Sequence, residues 1–159
     1  MEVERKYLLN LGDLPADMAD RADRFEFVQT YISFSPEIRV RKVNETCCCF
    51  TIKLPRDDTG LSREEIEFPI AEEVYQALLK KREGGTIHKT RYQFEEEGTL
   101  ITADVYSQDL AGLAVAEVEF EDVGHAEKYS PPEWFGKEIT SDKRYKNASL
   151  ARDGMPKNE

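Results

Sequence analysis

Apolar and polar residues alternate with a period of two through most of this chain, the pattern of strands that lay one face on a core. The segment Ile38-Arg-Val-Arg-Lys42 shows it most plainly. The same reading predicts strands over residues 1–9, Phe25–Phe34, Ile38–Lys42, Cys47–Leu54, Ser62–Ile70, Thr86–Phe94, Leu100–Tyr106 and Leu113–Glu121. Turn formers separate them: Pro36, Asn44-Glu45, the run Pro55–Gly60, Gly98 and Gly112. Residues 10–24 are acidic, contain Pro15, and read as a loop with one short helical turn. Helical spacing is clear over Ala71–Arg82, where Val74, Leu78 and Leu79 form a stripe that ends at Gly84-Gly85. A short helix is expected from near Gly124 to Pro131-Pro132, with Trp134-Phe135 docked on the body as packing residues. A last helix, capped by Thr140 or Ser141, would run to Gly154. Eight strands with short connections predict an α+β, mainly β fold: a closed eight-stranded antiparallel barrel with a few flanking helices, in one domain of residues 1–159.

Strand parity also sorts the charges. Glu2, Glu4 and Lys6 share a face, as do Arg39 and Arg41; Arg63, Glu65 and Glu67; Lys89 and Arg91; and Glu117 and Glu119. Lys53 opposes Ile52 and Leu54, and Asp104 opposes Ala103 and Val105. The charged face holds seven bases and seven acids, while the whole chain stands at a net −10, so the excess acidity lies elsewhere. Parity alone leaves two architectures open. One is an antiparallel sheet with a wet face and a core face. The other is a barrel whose charged face lines a lumen and whose apolar face packs against helices. A charged lumen must be wide and filled by ions or ligand, because unpaired buried charge costs several kcal/mol or more.

Net acidity argues against a general nucleic-acid or anionic-membrane surface. No apolar run is long enough to span a bilayer and no signal-peptide pattern opens the chain, so a cytoplasmic protein is expected. Cys47-Cys48-Cys49 are contiguous, which suits neither a disulfide framework nor a zinc site, and they read as strand residues in a reducing compartment. His88 and His125 have no metal-ligand spacing and read as surface residues. Arg and Lys rows match phosphate oxygens, and carboxylates on the same face tolerate a phosphate when a divalent cation lies between them. A face carrying both signs therefore points to a metal–polyphosphate ligand. There is no P-loop or Rossmann glycine motif.

Taken together, Glu2-x-Glu4-x-Lys6, Arg39-x-Arg41, Lys53, Arg63-x-Glu65-x-Glu67, Lys89-x-Arg91, Asp104 and Glu117-x-Glu119 resemble the CYTH superfamily, the triphosphate tunnel metalloenzymes. The tail Ser141–Asn147 is similar to the closing motif of the short bacterial members, and overall similarity points to their tripolyphosphatase branch. The resemblance implies a tunnel-forming barrel that holds a triphosphate and needs Mg²⁺ or Mn²⁺. It implies substrate contacts from Lys6, Arg39, Arg41, Lys53, Lys89 and Arg91, with Arg63 and Arg144 as additions. Metal ligands would be Glu2, Glu4, Asp104, Glu117 and Glu119, and the catalytic set Lys6, Tyr31 and Glu119. Tyr31 would orient Lys6 or the leaving oxygen, or would be an aromatic barrel residue. Glu65 and Glu67 would be ligands, or would pair with lumenal cations to keep the empty tunnel folded. Lys143 and Lys146 read as helix surface charges.

The expected reaction is metal-dependent hydrolysis of inorganic tripolyphosphate to pyrophosphate and phosphate, with ATP or thiamine triphosphate as other candidate substrates. The alternatives are a class IV-type adenylate cyclase or a non-catalytic polyphosphate- or nucleotide-binding module. No adenine-reading or thiamine-reading set can be identified. The expected partner is a small-molecule triphosphate, with no nucleic acid and no membrane, on a monomer or homodimer.

Overall fold

The computed structural model describes residues 3–55 and 63–157, together with the backbone alone at Pro55 and Arg63. Glu2, residues 56–62 and the Arg63 side chain therefore lie outside the described residues. The strands are β1 (Val3–Leu9), β2 (Asp23–Phe34), β3 (Glu37–Val43), β4 (Cys47–Pro55), β5 (Arg63–Ile70), β6 (Thr86–Glu96), β7 (Thr99–Ser107), β8 (Ala114–Phe120) and β9 (Phe135–Glu138). The helices are α1 (Met18–Arg21), α2 (Glu72–Leu79), α3 (Val123–Lys128) and α4 (Asn147–Asp153).

All nine strands form one sheet in the order β5-β4-β3-β2-β6-β7-β8-β1-β9, and every pairing is antiparallel. Short turns set the registers. Asn44 and Glu45, both at positive φ, turn β3 into β4, and Glu97 and Gly98 do the same between β6 and β7.

The mainly β, antiparallel architecture is the one expected, with two differences of detail. Among the described residues there are nine strands rather than eight, and the sheet is not closed into a barrel by hydrogen bonds. The free edge of β1 is taken by β9, through Tyr7↔Glu138 and Leu9↔Phe135, so β5 does not reach it. Of the residues of β9 the sequence singles out only Phe135, as a packing residue, because a strand so short, just after two prolines, gives no alternation to detect. Phe135 does pack, with its ring 4.9 Å from Tyr7, while Trp134 stacks on Phe94 at 6.0 Å.

Two helical expectations shift as well. Helix α2 ends at Leu79, and the chain to Arg82 continues in tighter turns: Lys80, Lys81 and Arg82 each donate to the carbonyl three residues back. The last helix starts later than expected. The Thr140 hydroxyl is spent on the Lys6 amide at 3.0 Å and the Glu138 carboxylate at 2.6 Å. Asp142 instead caps a single 3₁₀ turn over Lys143–Tyr145, and α4 begins at Asn147.

The apolar residues settle which face points where. Val118, Ala116, Ala103 and Ile101 of β7 and β8 pack with Leu9, Met18 and Phe94 in one cluster on the outside of the curled sheet. Val40, Cys48 and Tyr75 form a second outer cluster, between β3, β4 and α2. A third cluster lies on the inner face at one end, where Tyr31, Ile87, Tyr106 and Val115 meet Ile139 and Leu150 of the C-terminal segment. The charged parity positions therefore line the interior, and α4 seals one end of it. Among the described residues, no helix is long and apolar enough to cross a membrane.

The approach of β9 to β1 is close enough to test. A Cβ on Gly136 would stand 2.8 Å from the Leu8 carbonyl oxygen, a backbone atom that cannot swing away. Gly136→Ala is expected to destabilise the fold by about 1–3 kcal/mol, read as a lower midpoint in urea unfolding. A wild-type midpoint would show that β9 is not held against β1 this tightly.

Candidate active site

Each inner-facing position follows from strand parity and the observed register. Strand β1 contributes Glu4 and Lys6, and β8 places Glu119 and Glu117 opposite them. The Lys6 ammonium lies 3.1 Å from Glu117. Strand β3 contributes Arg39 and Arg41, and β4 sets Lys53 opposite Glu37 at 3.4 Å. The edge strand β5 supplies partners for the arginines: Arg41–Glu67 at 3.4 Å and Arg39–Glu65 at 4.0 Å. Curling of the sheet brings these groups together from both halves. A cavity of about 270 Å³ is lined by Glu4, Lys6 and Glu117 on one side and by Tyr31, Glu37, Arg39 and Lys53 on the other.

A second cluster lies deeper. Lys89 is 1% exposed, and its ammonium is 2.9 Å from Asp104. Arg91 grips the same carboxylate with a two-toothed fork, at 2.8 Å and 3.0 Å. Phe27 stands among these cations, with Arg41 at 4.7 Å, Arg91 at 4.8 Å and Lys89 at 5.9 Å from its ring centre. Burial alone would raise the Asp104 carboxyl, but the charges of Lys89 and Arg91 outweigh it and hold the group below its ordinary value. Burial lowers the Lys89 ammonium, with Asp104 opposing the shift. The Glu117 charge also acts on Lys89, Arg91 and Tyr106, so the two clusters share one field.

The interior is paired but not saturated. Lys89 Nζ, Arg39 Nε and Gln29 Oε1 are buried without an aligned hydrogen-bond partner. The Lys89–Asp104 contact is thus an ion pair rather than a well-directed hydrogen bond. Buried donors in this condition can each take a further acceptor. Tyr31 is 1% exposed, burial raises its phenol, and the Arg39 guanidinium beside it opposes that rise.

The structure brings Lys6, Tyr31, Arg39 and Lys53 to one cavity, with Glu4 and Glu117. Glu119 and Arg41 share its face, and Lys89, Arg91 and Asp104 form a separate, more buried cluster that feels the charge of its Glu117. It does not bring Arg144 there: that guanidinium is turned to Asp142 at 2.7 Å and to the Lys157 carbonyl at 3.2 Å. Both oxygens of Asp104 are taken by Lys89 and Arg91, so a metal role for it would require those bonds to give way. Glu65 and Glu67 lie beside Arg39 and Arg41, in the pairing arrangement.

Several lining residues escaped the sequence reading. Glu37 has the parity of Arg39 and Arg41 but is cut off when the strand is started at Ile38. Phe27 and Gln29 carry no charge and so drew no attention, although they share parity with Tyr31. Tyr106 and Asn147 meet through a 3.0 Å hydrogen bond that only the tertiary fold reveals. The cysteines hold no such position together: Cys48 lies in the α2 cluster, its thiol pushed up by burial and by donation to Glu72.

Among the described residues, no three His, Cys, Asp or Glu side chains form a ready-made metal site. The donor chemistry nevertheless fits a hard cation. Glu4 and Glu119 are direct cross-strand partners on the inner face, with Glu117 two residues along. Like charges set opposite each other are destabilising unless a cation joins them, and carboxylate oxygens are what Mg²⁺ and Mn²⁺ take.

Comparison with known proteins gives concordant findings. A family model described as the CYTH domain matches residues 1–154. The chain is 36% identical over 151 residues to the inorganic triphosphatase of Nitrosomonas europaea, covering 94% of this chain and 96% of that protein. It is 32% identical over 158 residues to the inorganic triphosphatase of Acetivibrio thermocellus, covering 96% and 94%. A solved inorganic triphosphatase structure matches with a TM-score of 0.76 at 31% identity, covering 99% of this chain and 97% of that one.

The deep ion cluster yields a direct test. Asp104→Asn would leave Lys89 buried without its counter-charge, so a loss of about 3–5 kcal/mol is expected in urea unfolding of the metal-free protein. The Asp104 carboxyl titrates below its ordinary 3.8 in the folded state. Its stabilisation is therefore present above about pH 4 and lost as pH falls through the lower folded value. Unchanged metal-free stability of Asp104→Asn would contradict the pairing role.

Proposed function

The chain belongs to the CYTH domain family, and on that premise we propose that it is a hydrolase that splits the terminal phosphoanhydride of inorganic tripolyphosphate, with Mg²⁺ or Mn²⁺. The observation that carries this reading is an interior face of opposed Lys, Arg and Glu residues with buried donors still seeking acceptors. The names of the two bacterial relatives support the same activity. One sheet joining all nine strands supports reading the whole chain as one domain.

Binding proceeds by exchange of partners. Phosphoryl oxygens would take Lys6 from Glu117, Lys53 from Glu37 and Arg41 from Glu67, contacts that span 3.1–3.4 Å in the structure. Arg39 would add a contact at the cavity wall, and Lys89 and Arg91 would add contacts deeper in; Arg39 Nε and Lys89 Nζ are already buried without an aligned partner. Release of Glu117 from Lys6 makes that carboxylate available beside Glu4 and Glu119. These three, with Glu2 on the same parity, would hold the cation. When bound, such an ion offsets phosphate charge and lowers the pKa of a water for attack.

Hydrolysis adds water to the terminal phosphorus and breaks its bond to the bridging oxygen, releasing phosphate and pyrophosphate. The cationic set supplies positive charge where the bridging oxygen gains negative charge. Lys6 is placed to do this at the cavity wall. Tyr31, fixed by burial and by Arg39, would orient the phosphoryl oxygen or the Lys6 ammonium. Asp104 holds Lys89 and Arg91 in place throughout.

The experiment is phosphate release by purified protein with Mg²⁺ or Mn²⁺. Tripolyphosphate, ATP and thiamine triphosphate are compared side by side, and cyclic AMP is assayed in the ATP reaction. Tripolyphosphate is expected to turn over fastest. Cyclic AMP from ATP, or silence on all three, would overturn the reading. Arg41→Ala and Glu119→Gln are each expected to lower kcat roughly a hundredfold or more with the fold retained. Near-normal turnover in either variant would remove that residue from the site.

A further inference from the structure

Outside the cavity, a connected chain of hydrogen bonds ends on the main chain of Lys6. In an antiparallel ladder the amide and carbonyl of one residue point to the same side. Those of Lys6 point to the segment that follows β9. Its carbonyl accepts the Ile139 amide at 2.8 Å, a main-chain bond. Its amide donates instead to a side chain, the Thr140 hydroxyl, at 3.0 Å. That hydroxyl lies 2.6 Å from Glu138 Oε2 but 3.5 Å from the Lys6 carbonyl. Its proton therefore goes to the carboxylate, and its lone pairs are left for the Lys6 amide.

Glu138 is fixed in turn. The Arg5 guanidinium grips it at 2.7 Å and 3.1 Å, and also donates to the carbonyls of Ala126 and Tyr129 at 2.8 Å and 3.1 Å. Ile139, between Glu138 and Thr140, is 2% exposed in the inner apolar cluster. The Lys6 side chain points the other way, into the cavity, with its ammonium 3.1 Å from Glu117. Arg5, Glu138 and Thr140 are not among the residues that line that cavity. A lysine carries its charge on a flexible four-carbon stem, so the place where the stem starts decides which phosphoryl oxygen it reaches.

We propose that Thr140 and Glu138 are positioning residues for the reaction: the chain Arg5–Glu138–Thr140 fixes the main chain of Lys6 from outside the cavity and so sets its ammonium against the triphosphate. The inference rests on the triphosphatase reading but has its own test. Thr140 and Glu138 touch no substrate and act only through Lys6. Misplacing a reacting group by about 1 Å costs up to about a hundredfold in rate. Thr140 is exposed, so water replaces part of the lost contact, and a loss of roughly tenfold is expected.

The test is a double-mutant cycle. Thr140→Val, Thr140→Ser and Glu138→Ala are made in the wild type, and Thr140→Val also in Lys6→Met. For tripolyphosphate, kcat is measured with Mg²⁺, and Kd by calorimetry with EDTA present, where nothing turns over. Thr140→Val is expected to lower kcat roughly tenfold and weaken Kd roughly threefold. Thr140→Ser keeps the hydroxyl and should restore both. In Lys6→Met, Thr140→Val should change neither constant further, because the ammonium it positions is gone. A merely loosened sheet edge would reduce both constants by the same factor in either background. That result, or wild-type constants in Thr140→Val, would overturn the proposal. Wild-type constants in Glu138→Ala would overturn the part assigned to Glu138 and Arg5. Binding that responds to Thr140 only when Lys6 is present, in a wild type that never hydrolyses tripolyphosphate, would refute the triphosphatase reading and leave the positioning role standing. A wild type that neither binds nor hydrolyses it would overturn both.

Discussion

Charge placed inside a curled sheet has to be neutralised from within, and that requirement organises the molecule. The most buried charges are the most tightly matched. Lys89 and Arg91 share one carboxylate, at 2.9 Å and through a fork at 2.8 and 3.0 Å. Breaking such a group strands a charge in a poorly solvated place, which is far costlier than losing a surface pair. Pairs nearer the opening are looser. Arg39 and Arg41 reach Glu65 and Glu67 at 4.0 and 3.4 Å, and those glutamate side chains are 49% and 39% exposed. On the proposed reading the deep cluster is a fixed floor, and the outer pairs are contacts that an incoming anion would displace.

The apolar residues are arranged to permit this. Small barrels ordinarily fill their interiors with hydrophobic side chains. Here the larger share of the core lies outside the sheet, under α1, α2 and the segment around Trp134. The inner cluster at Tyr31, Ile87, Val115 and Leu150 then closes one end and leaves the polar reach beside it. Strand β9 belongs to the same economy of edges: by pairing with β1 it covers a ladder that an open barrel would leave bare.

Much of this was legible in the sequence because strand parity is a strict geometric rule. Arg39 and Arg41, Lys89 and Arg91, and Glu117 and Glu119 share faces whatever the tertiary fold, and the ordered series resembled a known family. Parity could not say whether that face was wet surface or lumen, since both satisfy the alternation; the outer clusters around Val118 and Val40 decide it. Nor could it expose contacts that depend on distant chain segments. The Tyr106–Asn147 bond joins residues 41 apart. The diversion of Thr140 to the Lys6 amide, which delays the last helix, is likewise a tertiary event. Glu37 was lost for a local reason, a strand boundary drawn one residue late after Pro36.

The central claim is that the inner face exchanges its internal ion pairs for a triphosphate and a cation. A crystal structure of the protein with tripolyphosphate and Mn²⁺, the metal located by its anomalous signal, tests it most directly. The account predicts phosphoryl groups among Lys6, Arg39, Arg41 and Lys53, with Glu117 turned from Lys6 toward a manganese ion shared with Glu4 and Glu119. The Lys89–Asp104–Arg91 cluster should persist beneath them. Phosphate density outside this face, or an interior whose ion pairs are unchanged at saturating ligand, would contradict it.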